Sequence, residues 1–128
     1  MKPLTKEWLA QAEYDLKTAG AMHKTGRYLY VVFMCQQAIE KLIKGIIQER
    51  TNETPPYSHR LDTLLDIVEI PVDTEKKFFL GLLTRYYINC RYPEHKKSLS
   101  ELLNKKSTRE LLVKTEEVFQ WLKKELKT

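Results

Sequence analysis

The residues best equipped for chemistry lie in one stretch, Arg85-Tyr-Tyr-Ile-Asn-Cys-Arg-Tyr-Pro-Glu-His95. Arginine presents a rigid fork of donors that suits phosphate oxygens. Histidine has the side chain whose unperturbed titration lies nearest neutrality, so it can move protons. Metal-independent cleavage of RNA needs a base for the 2′-hydroxyl, an acid for the leaving oxygen and a cation for the phosphorane, and Arg91 with His95 could supply these. The plainer reading of the same spacing is a solvated pair at a helix C-terminus, where cations are favoured anyway.

The other chemistry-bearing residues read as structural. His59 sits at a helix start after a Pro-Pro-Tyr-Ser turn, and His23 closes the first helix. Histidine, cysteine and carboxylate residues nowhere take the spacing of zinc ligands, so neither a metal site nor a cofactor is expected. Glycine-rich phosphate loops and Gly-x-Ser-x-Gly elbows are absent from the sequence as well. In Phe33-Met-Cys-Gln-Gln-Ala-Ile-Glu-Lys-Leu-Ile-Lys44, the wheel puts Phe33, Gln37, Glu40 and Lys44 away from the core, with Gln48 one turn on. Glu40 and Lys44 then form an ordinary i, i+4 pair. Phe33, an aromatic among polar neighbours, either packs under a loop, the plainer reading, or marks a contact patch.

These residues must be positioned by helices. The chain has 128 residues, with four glycines, five prolines and no run of strand-like alternation. Helix 1 follows Thr5 as its cap and ends at Gly26. Helix 2 spans about 27–50. Thr51-Asn-Glu-Thr-Pro-Pro is a loop, because proline excludes helix there. Ser58 caps a short helix 3, and helix 4 covers about 74–90. Residues 94–106 are ambiguous, with room for one short helical piece. Helix 5 follows a Ser107-Thr-Arg-Glu110 capping box and reaches Leu126. The expected fold is therefore all-α: one domain over 1–128, an antiparallel up-and-down bundle of about five helices centred on helices 2 and 4.

On helix 4, Phe79, Leu82, Leu83, Tyr86 and Cys90 make the core stripe, with Phe78, Leu80 and Tyr87 on its flanks. A helix apolar on more than half its circumference needs cover on a second side. A homodimer through helix 4 supplies it, and Gly81 would let a second backbone approach. The net charge of +5 permits an anionic partner. Neither a signal peptide nor a membrane span is apparent, so the chain reads as cytoplasmic, with Cys35 and Cys90 as free thiols.

The order of these features resembles the HEPN domain family of prokaryotes. Trp8, Ala12 and Asp15-Leu16 open the series, followed by Gly26-Arg-Tyr and Gln36-Gln-Ala-Ile-Glu-Lys-Leu-Ile-Lys44. His59 before Leu61, then Leu64-Leu65, Tyr86-Tyr87 and Arg91-Tyr-Pro93 complete it. The resemblance implies a dimeric helical bundle tied to nucleotides or RNA. It also implies a minimal nucleotidyltransferase partner, in a toxin–antitoxin-like pair. Ribonuclease members place a longer spacing between Arg and His than the three residues separating Arg91 from His95. A binding module is thus the first reading. The alternatives are a metal-independent ribonuclease toxin using Arg91 and His95, and a structural adaptor without a ligand; enzymatic activity is left open. The expected ligand site comprises Arg85, Asn89, Arg91, Tyr92 and His95, with Lys41 and Lys44 from helix 2. A helix C-terminus is partly negative, so these cations must outweigh it or the ligand must lie between two subunits.

Overall fold

The computed structural model describes residues 1–127. Among them are six α-helices, a closing 3-10 turn (Lys124–Leu126) and no strand. The helices are α1 (Pro3–Lys24), α2 (Tyr28–Arg50), α3 (Leu61–Val68), α4 (Thr74–Asn89), α5 (Pro93–Leu102) and α6 (Lys105–Lys123).

α1 begins three residues earlier than its composition suggests. Pro3 occupies its first turn, where the missing N–H costs nothing. Thr5, expected as the cap, is instead fully buried inside the helix. The turn to α2 uses Gly26 at φ 76°, a left-handed conformation that glycine adopts without strain. α1 and α2 then run antiparallel. Lys2 N donates to Glu49 Oε1 at 2.9 Å at one end, and Asp15 pairs with Lys41 at 2.7 Å midway. Gly45 makes the close approach possible: a Cβ there would lie 3.1 Å from the Cβ of Trp8.

α2 is the axis of the molecule. Val31, Cys35, Ala38, Ile39, Leu42, Ile43 and Ile46 are all fully buried, packed with Leu64, Leu83, Phe119 and Leu122. Burying each such Leu or Ile is worth roughly 1.5–3 kcal/mol. An exposed ion pair contributes about 0–1 kcal/mol. The α2 core therefore dominates the stability. α1 and α6 flank α2, whereas α4 lies at the side of the bundle and shares the centre less than its hydrophobicity suggested.

Three expectations are corrected. α4 is rotated from its expected orientation: Leu80 and Tyr87, placed on a flank, are buried with Phe79 and Leu83, while Leu82, Tyr86 and Cys90 are half-buried. Ser58 does not cap α3, which starts at Leu61 without a side-chain cap; its hydroxyl accepts from Arg60 N instead. The ambiguous segment is α5. Its boundary with α6 is set by Asn104, which accepts from Ser107 N while Ser107 Oγ accepts from Asn104 N. The capping box thus starts at Asn104, three residues before the expected one.

Candidate functional site

Three polar residues of α2 are buried, not on an outer face. Gln36 is fully buried, Glu40 is 4% exposed and Lys44 is 7% exposed, contrary to the wheel assignment of Glu40 and Lys44. The physical reason is the segment 51–60, which folds back over this side of α2. Gln36 Nε2 donates to the carbonyl of His59 at 2.9 Å. Glu40 receives Lys44 Nζ on one carboxylate oxygen and meets His59 Nδ1 on the other, each at 2.9 Å. Carboxylate, ammonium and imidazole therefore satisfy one another, as burial requires. His59 carries the loop and supplies the third partner.

Tyr87 links this interior to the surface. Its hydroxyl accepts from Gln37 Nε2 at 3.0 Å, and its ring packs against Phe33 and His59 with centroids at 5.1 and 5.4 Å. Burial, reinforced by the Glu40 carboxylate, pushes its phenol up, with Arg91 and the Gln37 hydrogen bond opposing. Tyr87 therefore stays a neutral phenol at physiological pH. The guanidinium of Arg91 lies 5.4 Å over the same ring, within reach of a cation–π interaction.

Arg91 faces a cleft of about 350 Å³ lined by Leu29, Tyr30, Phe33, Cys90, Arg91 and Lys96. No carboxylate lines it, and no described residue forms an ion pair with Arg91. Arg91 also stands at the start of α5, not merely at the end of α4. Tyr92 is the N-cap of α5 and offers no side-chain cap, and Pro93 occupies the first turn. The local helix dipole thus favours an anion there, which reverses the expected obstacle. Glu94, exposed in that first turn, works against it.

The remaining candidates are dispersed. His95 is exposed on the first turn of α5, and Tyr92 is 51% exposed. Asn89, half-buried, ends α4, and its carbonyl accepts from Tyr92 N. Arg85 lines a different groove between α3 and α4, about 750 Å³, together with Asp62, Asp66 and Lys77. Lys41 and Lys44 are engaged with Asp15 and Glu40. The structure therefore brings Arg91 together with Lys96, Tyr30 and Phe33, three residues outside the expected set. Phe33 had a sequence signal, an aromatic among polar neighbours. Tyr30 and Lys96 had none, because their part depends on α5 folding back beside the start of α2.

Cys35 and Cys90 are free thiols, as expected. Burial pushes Cys35 up to about 12. It also raises Cys90, although Arg91 and Lys96 pull the other way. Neither is a ready thiolate. Among the described residues no group of His, Cys, Asp and Glu could hold a metal, and no helix is long and apolar enough to cross a membrane.

The fold resembles two solved structures. TT1696 from Thermus thermophilus superposes with a TM-score of 0.78 at 23% identity, over 94% of this chain and 97% of that one. ST0689, an archaeal HEPN homologue, gives 0.74 at 23% identity, over 96% and 97%. No curated protein sequence matches the chain. The family model for the HEPN domain matches residues 5–126, from within the first turn of α1 to the closing 3-10 turn. With nearly the whole chain matched, and with the bundle expected of it, this protein belongs to the HEPN domain family.

Proposed function

We propose that this HEPN domain is a cytoplasmic binding module for a nucleotide or RNA, acting with a minimal nucleotidyltransferase in a toxin–antitoxin-like pair. The observation that carries the ligand reading is Arg91: it has no carboxylate partner, rests on Tyr87 and lines a cleft free of acidic residues at the start of α5. A guanidinium so placed can form charge-assisted bonds to phosphate. Binding without turnover fits better than cleavage, because the short Arg91–His95 spacing departs from that of the ribonuclease members the chain resembles. Incubating the pure protein with RNA, beside an Arg91→Ala/His95→Ala variant, tests this reading. Retention of intact RNA that the variant loses is the expected result. Cleavage that the variant abolishes would make the protein a ribonuclease toxin instead.

The same reading includes a homodimer through α4. Phe78 is 72% exposed, and Gly81, Arg85 and Ile88 continue its stripe along the helix. Light scattering at micromolar concentration should return twice the 15.2 kDa chain mass. A mass of one chain would remove the dimer from the proposal while leaving the ligand site standing.

A further inference from the structure

The Arg91 cleft does not end at its own walls. It shares Leu29, Tyr30 and Lys96 with a second cleft of about 460 Å³, which also takes in Gly26, Arg27 and Ser100. Arg27 and Tyr30 then border a third hollow over the α1–α2 turn, beside Met22 and Thr25. These three hollows adjoin one another through shared walls, from the start of α5 to the corner of the hairpin. Three cations line it: Arg91, Lys96 and Arg27. No carboxylate does, although the chain has 17 acidic residues. The α3–α4 groove differs, because Asp62 and Asp66 offset its cations. So does the hollow on α6, where Glu110 and Glu117 face Lys106, Arg109 and Lys114.

Aromatic rings alternate with those cations. Tyr30 is 55% exposed and borders all three hollows. It stands one turn before Phe33 on α2, and Phe33 is anchored by Tyr87. An exposed phenol ring on a rigid helix, between cations, is suited to stack a base while its neighbours hold phosphates. A mononucleotide would use the Arg91 end alone. A path three hollows long fits a chain of nucleotides.

We propose that single-stranded RNA lies along this path, with Tyr30 as its stacking platform and Lys96 and Arg27 as phosphate contacts beyond Arg91. The proposal rests on the ligand reading of Arg91 and adds the polymer, its course over the surface and three residues. Fluorescence anisotropy with a labelled single-stranded RNA octamer tests it, in parallel with binding of ATP. Tyr30→Ala should weaken the octamer by about 10-fold, and Tyr30→Phe should restore it, because stacking needs the ring and not the hydroxyl. Arg27→Ala and Lys96→Ala should each weaken the octamer and reduce its salt dependence by about 0.7 in the log–log slope. ATP binding should fall in Arg91→Ala and stay at the parent level in Arg27→Ala, which lies outside the Arg91 cleft. The matching duplex, whose bases are already stacked, should bind several-fold more weakly. All three side chains are exposed, so unchanged thermal melts will show that folding is intact. Arg109→Ala removes an equal charge from α6 and serves as the control. If it weakens the octamer as much as Lys96→Ala does, binding follows net charge and the path is wrong. Parent-like octamer affinity in Tyr30→Ala and Arg27→Ala would also overturn the path, while a loss in Arg91→Ala would leave the ligand reading intact. Absence of both RNA and ATP binding by the parent protein would overturn both.

Discussion

Two clusters of charged and polar residues sit on either side of Tyr87. On the inner side, Glu40, Lys44, His59 and Gln36 are bonded to one another beneath the 51–60 segment. On the outer side, Arg91 and Lys96 border the cleft with no carboxylate between them. The inner cluster sets the Glu40 carboxylate against the Lys44 ammonium and the His59 ring, although the buried Gln36 Oε1 is left without a partner. The outer cluster leaves positive charge open to an incoming anion. Residue type alone therefore does not mark a binding site; the local balance of charge does. In the buried cluster that balance maintains the fold, and at the edge its absence is the feature on which the proposed ligand site rests.

The comparison breaks most readily at Glu40. Glu40→Ala leaves Lys44 buried without its partner, and a buried pair broken in this way typically costs about 3–5 kcal/mol. Urea denaturation should show a loss of that order. Arg91→Ala in the same assay should cost less than about 0.5 kcal/mol, as an exposed substitution does. Comparable losses at the two positions would erase the distinction between the clusters.

Tyr87→Phe sharpens the boundary between them. It removes the Gln37 bond and keeps both ring contacts, so about 0.5–1.5 kcal/mol of stability should go. RNA affinity should hold, because Arg91 still has a ring to rest on. A collapse of affinity would mean that the inner cluster belongs to the binding site.

The helix that carries Tyr87 depends on its own cap. Asp73 accepts from Lys76 N at 2.8 Å at the start of α4, and Lys76, by its side chain and by that bond, holds the Asp73 carboxyl below its usual range. A carboxyl depressed by folding stabilises the protein at pH values above its unfolded range, and that contribution is lost as pH falls through the folded value. Asp73→Ala should therefore lower the melting temperature at pH 7 and lower it less near pH 3. An equal drop at both pH values would show that the charge plays no part.

The smallest effect concerns Cys90. Arg91 and Lys96 partly offset the rise that burial imposes on this thiol. In Arg91→Ala, alkylation of Cys90 at mildly alkaline pH should slow by a small factor, while Cys35 stays unreactive in both proteins. Faster alkylation would mean that Arg91 screens the thiol sterically more than it attracts the thiolate.

Much of this architecture was legible in the chain. The limits of α2 and α4 came through because each is a long apolar-periodic run bounded by Gly26, Pro55-Pro56, Pro71 and Pro93. α5 was obscure because Leu99 is its one buried residue, so it has little periodicity to read. The orientation of α4 was misjudged because apolar residues surround most of that helix. A wheel locates a core only where polar residues mark the opposite side, and here Phe78 and Ile88 blur that mark.

The sequence by itself determined the all-α class and the family series from Trp8 to Pro93, and it singled out Arg91 as a candidate, since these depend on residue type and local spacing. Only the tertiary structure decided which charges are matched. Glu40 meets His59 across 19 positions, Gln37 meets Tyr87 across 50, and Lys96 joins Tyr30 in the wall of one cleft. Charge balance is a property of distances in space. Those distances are set by how α4, α5 and the 51–60 segment fold back over α2, which no local pattern encodes.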